Sequence, residues 1–425
     1  MAVYDPVDAW LQQRAGLSPR DMDLGLERVA EVWARLDGRR PAPHVITIGG
    51  TNGKGSCVAL VEAILRAAGY RVGCYTSPHL VHYAERVRID GAAVSSGAIL
   101  AALRRVAGVR GDTPLTYFEM GTLAAFDLFV RAALDVAVLE VGLGGRLDAV
   151  NLVDADAALV ASVGLDHQDW LGPDREAIGR EKAGIFRAGR PAICGDPVPP
   201  ASLLDYARAV RADLQVSGRD FRCSGDERVW HWFGRGAARR ALPLPALRGR
   251  HQLANAAAVL AVLASLRETL PVDQGAVREG LLGVRLAGRF EVRRDGEVTW
   301  VLDVGHNPAA AAAVAENLRA QFVPGRTRAV LAMLRGKDVA GVVRALDDQV
   351  DEWHAAAFAD ARALAATELR AQLQAAVTAG AVVGHADVPA ALAAVRRASR
   401  AGDRVLVLGS FITVGAAMRW WEEDR

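Results

Sequence analysis

The residues Gly49-Gly50-Thr51-Asn52-Gly53-Lys54-Gly55-Ser56 combine four glycines with a lysine and a terminal hydroxyl. Glycines let successive backbone N–H groups face one anion, and a helix N-terminus behind them adds partial positive charge. Lys54 adds a full charge, and the Ser56 hydroxyl could serve a magnesium ion. This chemistry suits a phosphate chain. The pattern departs from the common G-x-x-x-x-G-K-[ST]: position 48 is Ile, and Gly55 separates Lys54 from the hydroxyl residue. The competing reading is an ordinary glycine turn, but the lysine and both flanks favour phosphate binding.

Other chemically capable groups recur at the ends of apolar runs. Glu140 closes VAVLEV, ahead of Gly142-Leu-Gly-Gly-Arg146. Asp166-His167 follows AALVASV, and Thr76-Ser77-Pro78-His79 follows the segment from Tyr70 to Tyr75. Hard oxygen ligands of this kind suit magnesium, which keeps some waters and bridges substrate phosphates. Singly, each has a plainer reading. Glu140 could be a half-exposed strand end paired with Arg146, and His167 a loop histidine bonded to a backbone carbonyl. Their recurrence favours the functional reading. Lys182 reads by itself as a solvated helix lysine, and Asp303 as a cap for the next helix.

These groups require a frame that brings strand ends together. His44 to Ile48, Val136 to Val141 and Ala157 to Val163 are short apolar runs alternating with helical patterns such as Val58 to Ala68. The alternation predicts βαβ units and a parallel sheet, with ligands beyond the carboxyl ends of its strands. Asn255 to Leu266 is apolar nearly all round and predicts a buried helix. Near Arg285 the pattern restarts. Val298 to Val304, Arg328 to Met333 and Arg404 to Leu408 predict further strands, and Asn307-Pro308 opens a helix with good cap chemistry. The expected architecture is α/β. A P-loop-type parallel-sheet ATPase domain spans 1–286, and a smaller Rossmann-like α/β domain spans 287–425. Arg219 to Pro245 reads as an antiparallel excursion of the first domain.

With 425 residues, two domains can each bury a core. The formal net charge of +2 argues against a protein devoted to gripping nucleic acid. The four cysteines form no C-x-x-C pair, so reduced thiols in the cytoplasm are expected rather than disulfides or structural zinc. The opening Met1-Ala-Val-Tyr-Asp-Pro-Val-Asp8 lacks the basic and apolar regions of a signal peptide. No apolar run approaches a membrane span of about 20 residues.

Taken together the motifs are familiar. Gly50-Thr-Asn-Gly-Lys-Gly-Ser56, Thr76-Ser-Pro-His-Leu80, Leu139-Glu-Val-Gly-Leu-Gly-Gly-Arg146, Asp166-His-Gln-Asp-Trp-Leu-Gly172, Arg180-Glu-Lys-Ala-Gly-Ile185, His251-Gln-Leu-Ala-Asn-Ala256, Leu286-Ala-Gly-Arg-Phe-Glu291, Asp303-Val-Gly-His-Asn-Pro308 and Gly409-Ser-Phe follow one another in order. In this the chain resembles the folylpolyglutamate synthase/dihydrofolate synthase family of Mur-ligase-like, ATP-dependent amide ligases. The resemblance implies that ATP phosphorylates a substrate carboxylate and that the amine of L-glutamate displaces phosphate from the acyl phosphate. The acceptors it implies are 7,8-dihydropteroate and reduced folates.

Residue by residue, the resemblance places Asn52, Gly53, Lys54, Gly55 and Ser56 on the ATP phosphates. It places Asn255, Arg289 and Asp303 on the nucleotide, with the C-terminal domain closing over ATP. It makes Ser77, Glu140 and His167 magnesium ligands, with His167, Lys54 and Lys182 the catalytic set. It also implies carbamylation of Lys182 as an oxygen ligand for a second magnesium ion. Thr116-Tyr117-Phe118-Glu119 and Leu147-Asp148-Ala149 resemble pterin-binding segments. Aromatic rings there would stack on a flat pterin, and Glu119 would accept its N–H groups. The plainer reading makes Tyr117 and Phe118 core residues. A monomer with small-molecule substrates, and no nucleic-acid or membrane partner, is expected. The rivals are a cell-wall Mur ligase, which usually carries an extra N-terminal domain, and a nucleotide switch that does not ligate.

Overall fold

Apolar runs of four to six residues, bounded by glycine and polar turns, form buried strands because both faces of a parallel sheet are covered by helices. In the computed structural model, which describes residues 5–15, 23–226 and 228–423, the larger sheet has eight strands, its parallel ones four to six residues long and its two antiparallel edge strands shorter. The eight are β1 (His44–Gly49), β2 (Val72–Tyr75), β3 (Val87–Ile89), β4 (Ala92–Ala93), β5 (Val136–Glu140), β6 (Ala157–Val160), β7 (Pro191–Cys194) and β8 (Asp213–Val216). Their order is β4-β3-β2-β5-β1-β6-β7-β8. From β2 to β8 all neighbours run parallel, while β3 and β4 extend one edge antiparallel. The central position of β1 places its glycine-rich exit between the ends of β5 and β6. Of the N-terminal stretch read above, residues 1–4 lie outside the described residues.

The expected excursion is a three-stranded antiparallel sheet of β9 (Arg222–Gly225), β10 (Val229–Gly234) and β11 (Ala237–Pro243). Trp230 and Trp232 are buried there, and Trp232 Nε1 donates to the Ala257 carbonyl at 2.9 Å. The expected buried helix is Arg250–Ser265, with Ala256 through Leu263 inaccessible.

A second sheet contains β12 (Glu291–Asp295), β13 (Val298–Leu302), β14 (Thr327–Leu331), β15 (Glu352–Ala355), β16 (Ala381–Gly384) and β17 (Arg404–Leu408), ordered β12-β13-β17-β14-β15-β16. All but β12 run parallel. The helix Pro308–Arg319 starts as its sequence predicts, with Asn307 accepting from the Ala310 N–H at 2.9 Å and proline in the first turn. The chain forms two compact units. One runs to Ala246 and resumes over Gln252–Arg285; the other comprises Leu247–His251 and the chain from Leu286 onward. No sequence signal indicated that Leu247–His251 belongs with the second unit.

Candidate active site

The glycine-rich loop leaves β1 through Gly50 (φ +143°) and reaches the helix Lys54–Ala67 through Gly53 (φ +88°). At Gly53 only glycine fits: a Cβ would sit 2.7 Å from Asn255 Oδ1, and the backbone is left-handed. The loop is braced to the segment following β6. Thr51 donates its backbone N–H to the Ser162 carbonyl at 2.9 Å, and the Asn52 N–H donates to Ser162 Oγ at 3.0 Å. Lys54 folds back over the loop, donating from Nζ to the carbonyls of Gly50 (3.0 Å) and Thr51 (3.3 Å). Ser56 is buried, and its Oγ accepts from Gln252 Nε2 at 3.2 Å. Gln252 Oε1 in turn accepts from Asn255 Nδ2 at 3.0 Å. Gln252 stands in the quoted motif His251-Gln-Leu-Ala-Asn-Ala256 but the sequence assigns it no role of its own, although its place one helical turn before Asn255 could have flagged it.

Glu140 ends β5 and Ser77 follows β2, the adjacent strand, so parallel pairing brings them together. The Ser77 N–H donates to Glu140 Oε2 at 3.2 Å. Glu140 is 4 % exposed, and Arg146 pairs with Glu181 at 3.0 Å, so the reading of Glu140 as a half-exposed partner of Arg146 is corrected. His167 has positive φ (+50°) at the start of the short helix Gln168–Leu171, and its side chain is 45 % exposed. Its backbone N–H donates to Asp166 Oδ1 at 2.9 Å, and its ring Nε2 lies 3.9 Å from Asp166 Oδ2. Among the described residues no three His, Cys, Asp or Glu side chains form a ready metal cluster. An ion held here needs oxygen donors beyond Glu140, such as a serine hydroxyl, phosphate or water. A buried carboxylate beside the phosphate loop fits such a hard cation.

Lys182 is 4 % exposed, which overturns its solvated reading. Burial, helped by the Lys54 charge, lowers its pKa to about 7 against the pull of Asp166 and Asp148. The helix Arg175–Ala183 can carry it inward because Gly145 leaves room: a Cβ there would lie 2.8 Å from the Glu181 carbonyl and 3.0 Å from that of Lys182. Asp148 is also buried, and desolvation raises its pKa to about 6 although its carboxylate accepts from the N–H groups of Leu143 and Val150.

The two segments read as pterin-binding meet at Gly142, where a Cβ would touch Phe118 Cζ at 2.7 Å and Asp148 Oδ2 at 3.3 Å. Leu147 is half-buried and Ala149 buried beside Asp148. Thr116 and Glu119 form a reciprocal cap of the helix Tyr117–Ala132. Glu119 Oε2 accepts from the Thr116 N–H at 2.7 Å, and Oε1 accepts from Arg28 Nη2 at 2.8 Å. Glu119 is thus engaged on both oxygens, whereas the sequence reading had it accepting ligand N–H groups. Tyr117 and Phe118 are only half-buried, so they are not simple core residues.

In the second unit, Asp303 Oδ2 accepts from the Phe290 N–H at 2.8 Å and Oδ1 from the Gly305 N–H at 2.7 Å. Asn307, not Asp303, caps the following helix. Burial raises the Asp303 pKa even though Arg289 and His251 stand near enough to oppose it. The Arg289 guanidinium lies 5.0 Å from the Phe411 ring centroid.

Residues 48–194 match the Mur ligase middle domain, and residues 288–411 match the Mur ligase, glutamate ligase domain. The dihydrofolate synthase/folylpolyglutamate synthase of Escherichia coli K12 is 44 % identical over 97 % of this chain and 95 % of its own. E. coli FolC in complex with DHPP and ADP superposes with a TM-score of 0.92 at 43 % identity, covering 100 % of this chain and 99 % of that one. A bifunctional folylpolyglutamate synthase/dihydrofolate synthase with Mn, AMPPNP and L-glutamate bound gives 0.90 at 44 % identity, covering 99 % of each.

Proposed function

The chain belongs to the dihydrofolate synthase/folylpolyglutamate synthase family of Mur-type ligases, and from that premise we propose how its residues carry out the reaction. The enzyme is an ATP-dependent ligase that joins L-glutamate to 7,8-dihydropteroate, giving dihydrofolate, and to reduced folates, giving polyglutamates. A carboxylate is a poor acyl donor because oxide is a poor leaving group. Transfer of the γ-phosphoryl group converts it to an acyl phosphate; the glutamate amine then attacks the carbonyl, the C–O bond breaks and phosphate departs.

Within this reaction the loop N–H groups and Lys54 cradle the ATP phosphates and neutralise charge that grows during transfer. Lys54 exchanges its present carbonyl partners for phosphate oxygens. Ser56 and Asn255, linked through Gln252, face the same phosphates. Arg289 and Asp303 contact the nucleotide from the second domain. Tyr117 and Phe118 offer aromatic faces to the pterin, and the Asp148 segment borders them.

A divalent metal, magnesium in the cell, supplies charge neutralisation between triphosphate and carboxylate. Ser77, Glu140 and His167 hold one ion. Lys182, once carbamylated, holds a second. The support for that modification is its buried amine, which is about half neutral at neutral pH. A neutral amine attacks carbon dioxide, loses a proton and becomes an anionic oxygen donor. The enzyme works as a monomer in the cytoplasm.

The observation that carries the reading is convergence. The phosphate loop, the Ser77–Glu140 contact and Lys182 all lie at the carboxyl end of one parallel sheet. ATP turnover tests it: hydrolysis should require both glutamate and a pteroate or folate acceptor. Turnover indifferent to both would instead mark a nucleotide switch.

A further inference from the structure

His79 stands in the motif Thr76-Ser-Pro-His-Leu80 but has no part in the reaction as described. Its two ring nitrogens are both engaged. Nδ1 accepts from Arg86 Nε at 2.9 Å. A guanidinium has donors only, so Nδ1 must hold a lone pair and the ring proton belongs on Nε2. Nε2 lies 3.2 Å from Asp8 Oδ2. Asp8 Oδ1 accepts the Tyr117 hydroxyl at 2.6 Å. Burial raises the Asp8 pKa, but the bonds from His79 and Tyr117 outweigh it and keep the carboxyl below its usual range. The donors and acceptors therefore run in one direction, from Arg86 through His79 to Asp8, where Tyr117 joins.

Arg86 also reaches the loop from its other side. Its carbonyl accepts the Thr76 N–H at 2.8 Å. Ser77 is thus held between two attachments to Arg86, one at Thr76 and one at His79. The buried guanidinium lies 5.1 Å from the Tyr83 ring centroid and 5.4 Å from that of Tyr117. The Tyr83 and Tyr117 rings meet edge to face at 5.9 Å.

We propose that His79, with Asp8 and Arg86, is a positioning relay that fastens the loop carrying Ser77 to Tyr117, so that one hydrogen-bonded chain sets both the metal-binding loop and the ring offered to the pterin. This rests on the reading of Tyr117 and Phe118 as pterin-binding. The relay needs a side chain at position 79 that accepts from Arg86 and donates to Asp8. A glutamine can do the same, since its Oε1 accepts and its Nε2 donates at similar spacing.

The test is direct binding of 7,8-dihydropteroate and of Mn2+ to purified protein, beside steady-state kinetics. His79→Leu should weaken dihydropteroate binding about tenfold or more, a loss on the scale of one charge-assisted hydrogen bond, and should also weaken Mn2+ binding. His79→Gln should restore both to within about threefold of the parent. Tyr117→Phe, which removes one oxygen and keeps the ring, should weaken dihydropteroate several-fold and leave the KM for ATP unchanged; it stands in should His79→Leu fail to fold. Parent-like binding by His79→Leu or by Tyr117→Phe overturns the relay, as does a His79→Gln no better than His79→Leu. Phe118→Ala separates the two ideas. If it leaves dihydropteroate binding intact, the pterin reading itself fails; if it weakens binding while His79→Leu does not, only the relay fails.

Discussion

Ser77 donates its backbone N–H to Glu140 Oε2 at 3.2 Å, joining the exits of two adjacent parallel strands. The backbone at Ser77 and the buried Glu140 carboxylate are thereby held together at the ends of β2 and β5. Metal affinity should depend on that pair. Glu140→Gln keeps the shape and removes the charge, so its half-saturating magnesium concentration should rise by tenfold or more. On the proposed assignment of His167 as a ligand, His167→Ala should raise it as well, and its half-exposed side chain should be lost without cost to the fold. A magnesium titration of ligation rate checks both, and unchanged curves would make these residues structural.

Lys54→Ala should lower kcat by about 10²–10³-fold, the usual scale for losing one preorganised charge at a transition state. The fold should survive, because the Gly50 and Thr51 carbonyls that Lys54 Nζ bonds belong to the part-buried loop and not to the apolar core. Circular dichroism with steady-state kinetics tests this, and a folded variant with near-parent turnover would contradict the assignment.

Lys182 yields opposite effects on activity and stability. Its pKa is lowered to about 7, so between that value and the ordinary lysine range the unfolded chain binds a proton the folded chain lacks. Stability therefore rises with pH across that window, and the penalty is fully present below pH 7. Lys182→Met removes the penalty, so its melting temperature at pH 7 should exceed the parent's by a few degrees, with the gap narrowing toward pH 10. The same variant should be nearly inactive. Lys182→Arg should also be inactive, since a guanidinium stays protonated and forms no such carbamate. An active Lys182→Arg enzyme would exclude carbamylation, whereas partial rescue of Lys182→Ala by small carboxylates would support it.

Much of the frame was legible in the sequence because it rests on local patterns. Apolar runs bounded by glycine became β1, β5 and β6, and Asn307-Pro308 opened its helix. Strand ends in a parallel sheet converge, so Ser77 and Glu140 could be paired from their positions. What stayed hidden depends on contacts between distant segments. Asp8 meets Tyr117 across 109 positions, and Arg28 reaches Glu119 across 91. Neither pairing leaves a periodic trace. Lys182 sits among Arg180, Glu181 and other charges that read as a solvated helix. Its burial follows from the close approach allowed at Gly145, a tertiary effect.

Product analysis by mass spectrometry tests the central claim most directly. Purified protein is incubated with ATP, magnesium, L-glutamate and either 7,8-dihydropteroate or tetrahydrofolate. The account predicts dihydrofolate from the first acceptor and glutamate-extended tetrahydrofolate from the second, each with one ADP formed per glutamate added. ATP consumption with neither acceptor gaining a glutamate residue would contradict it.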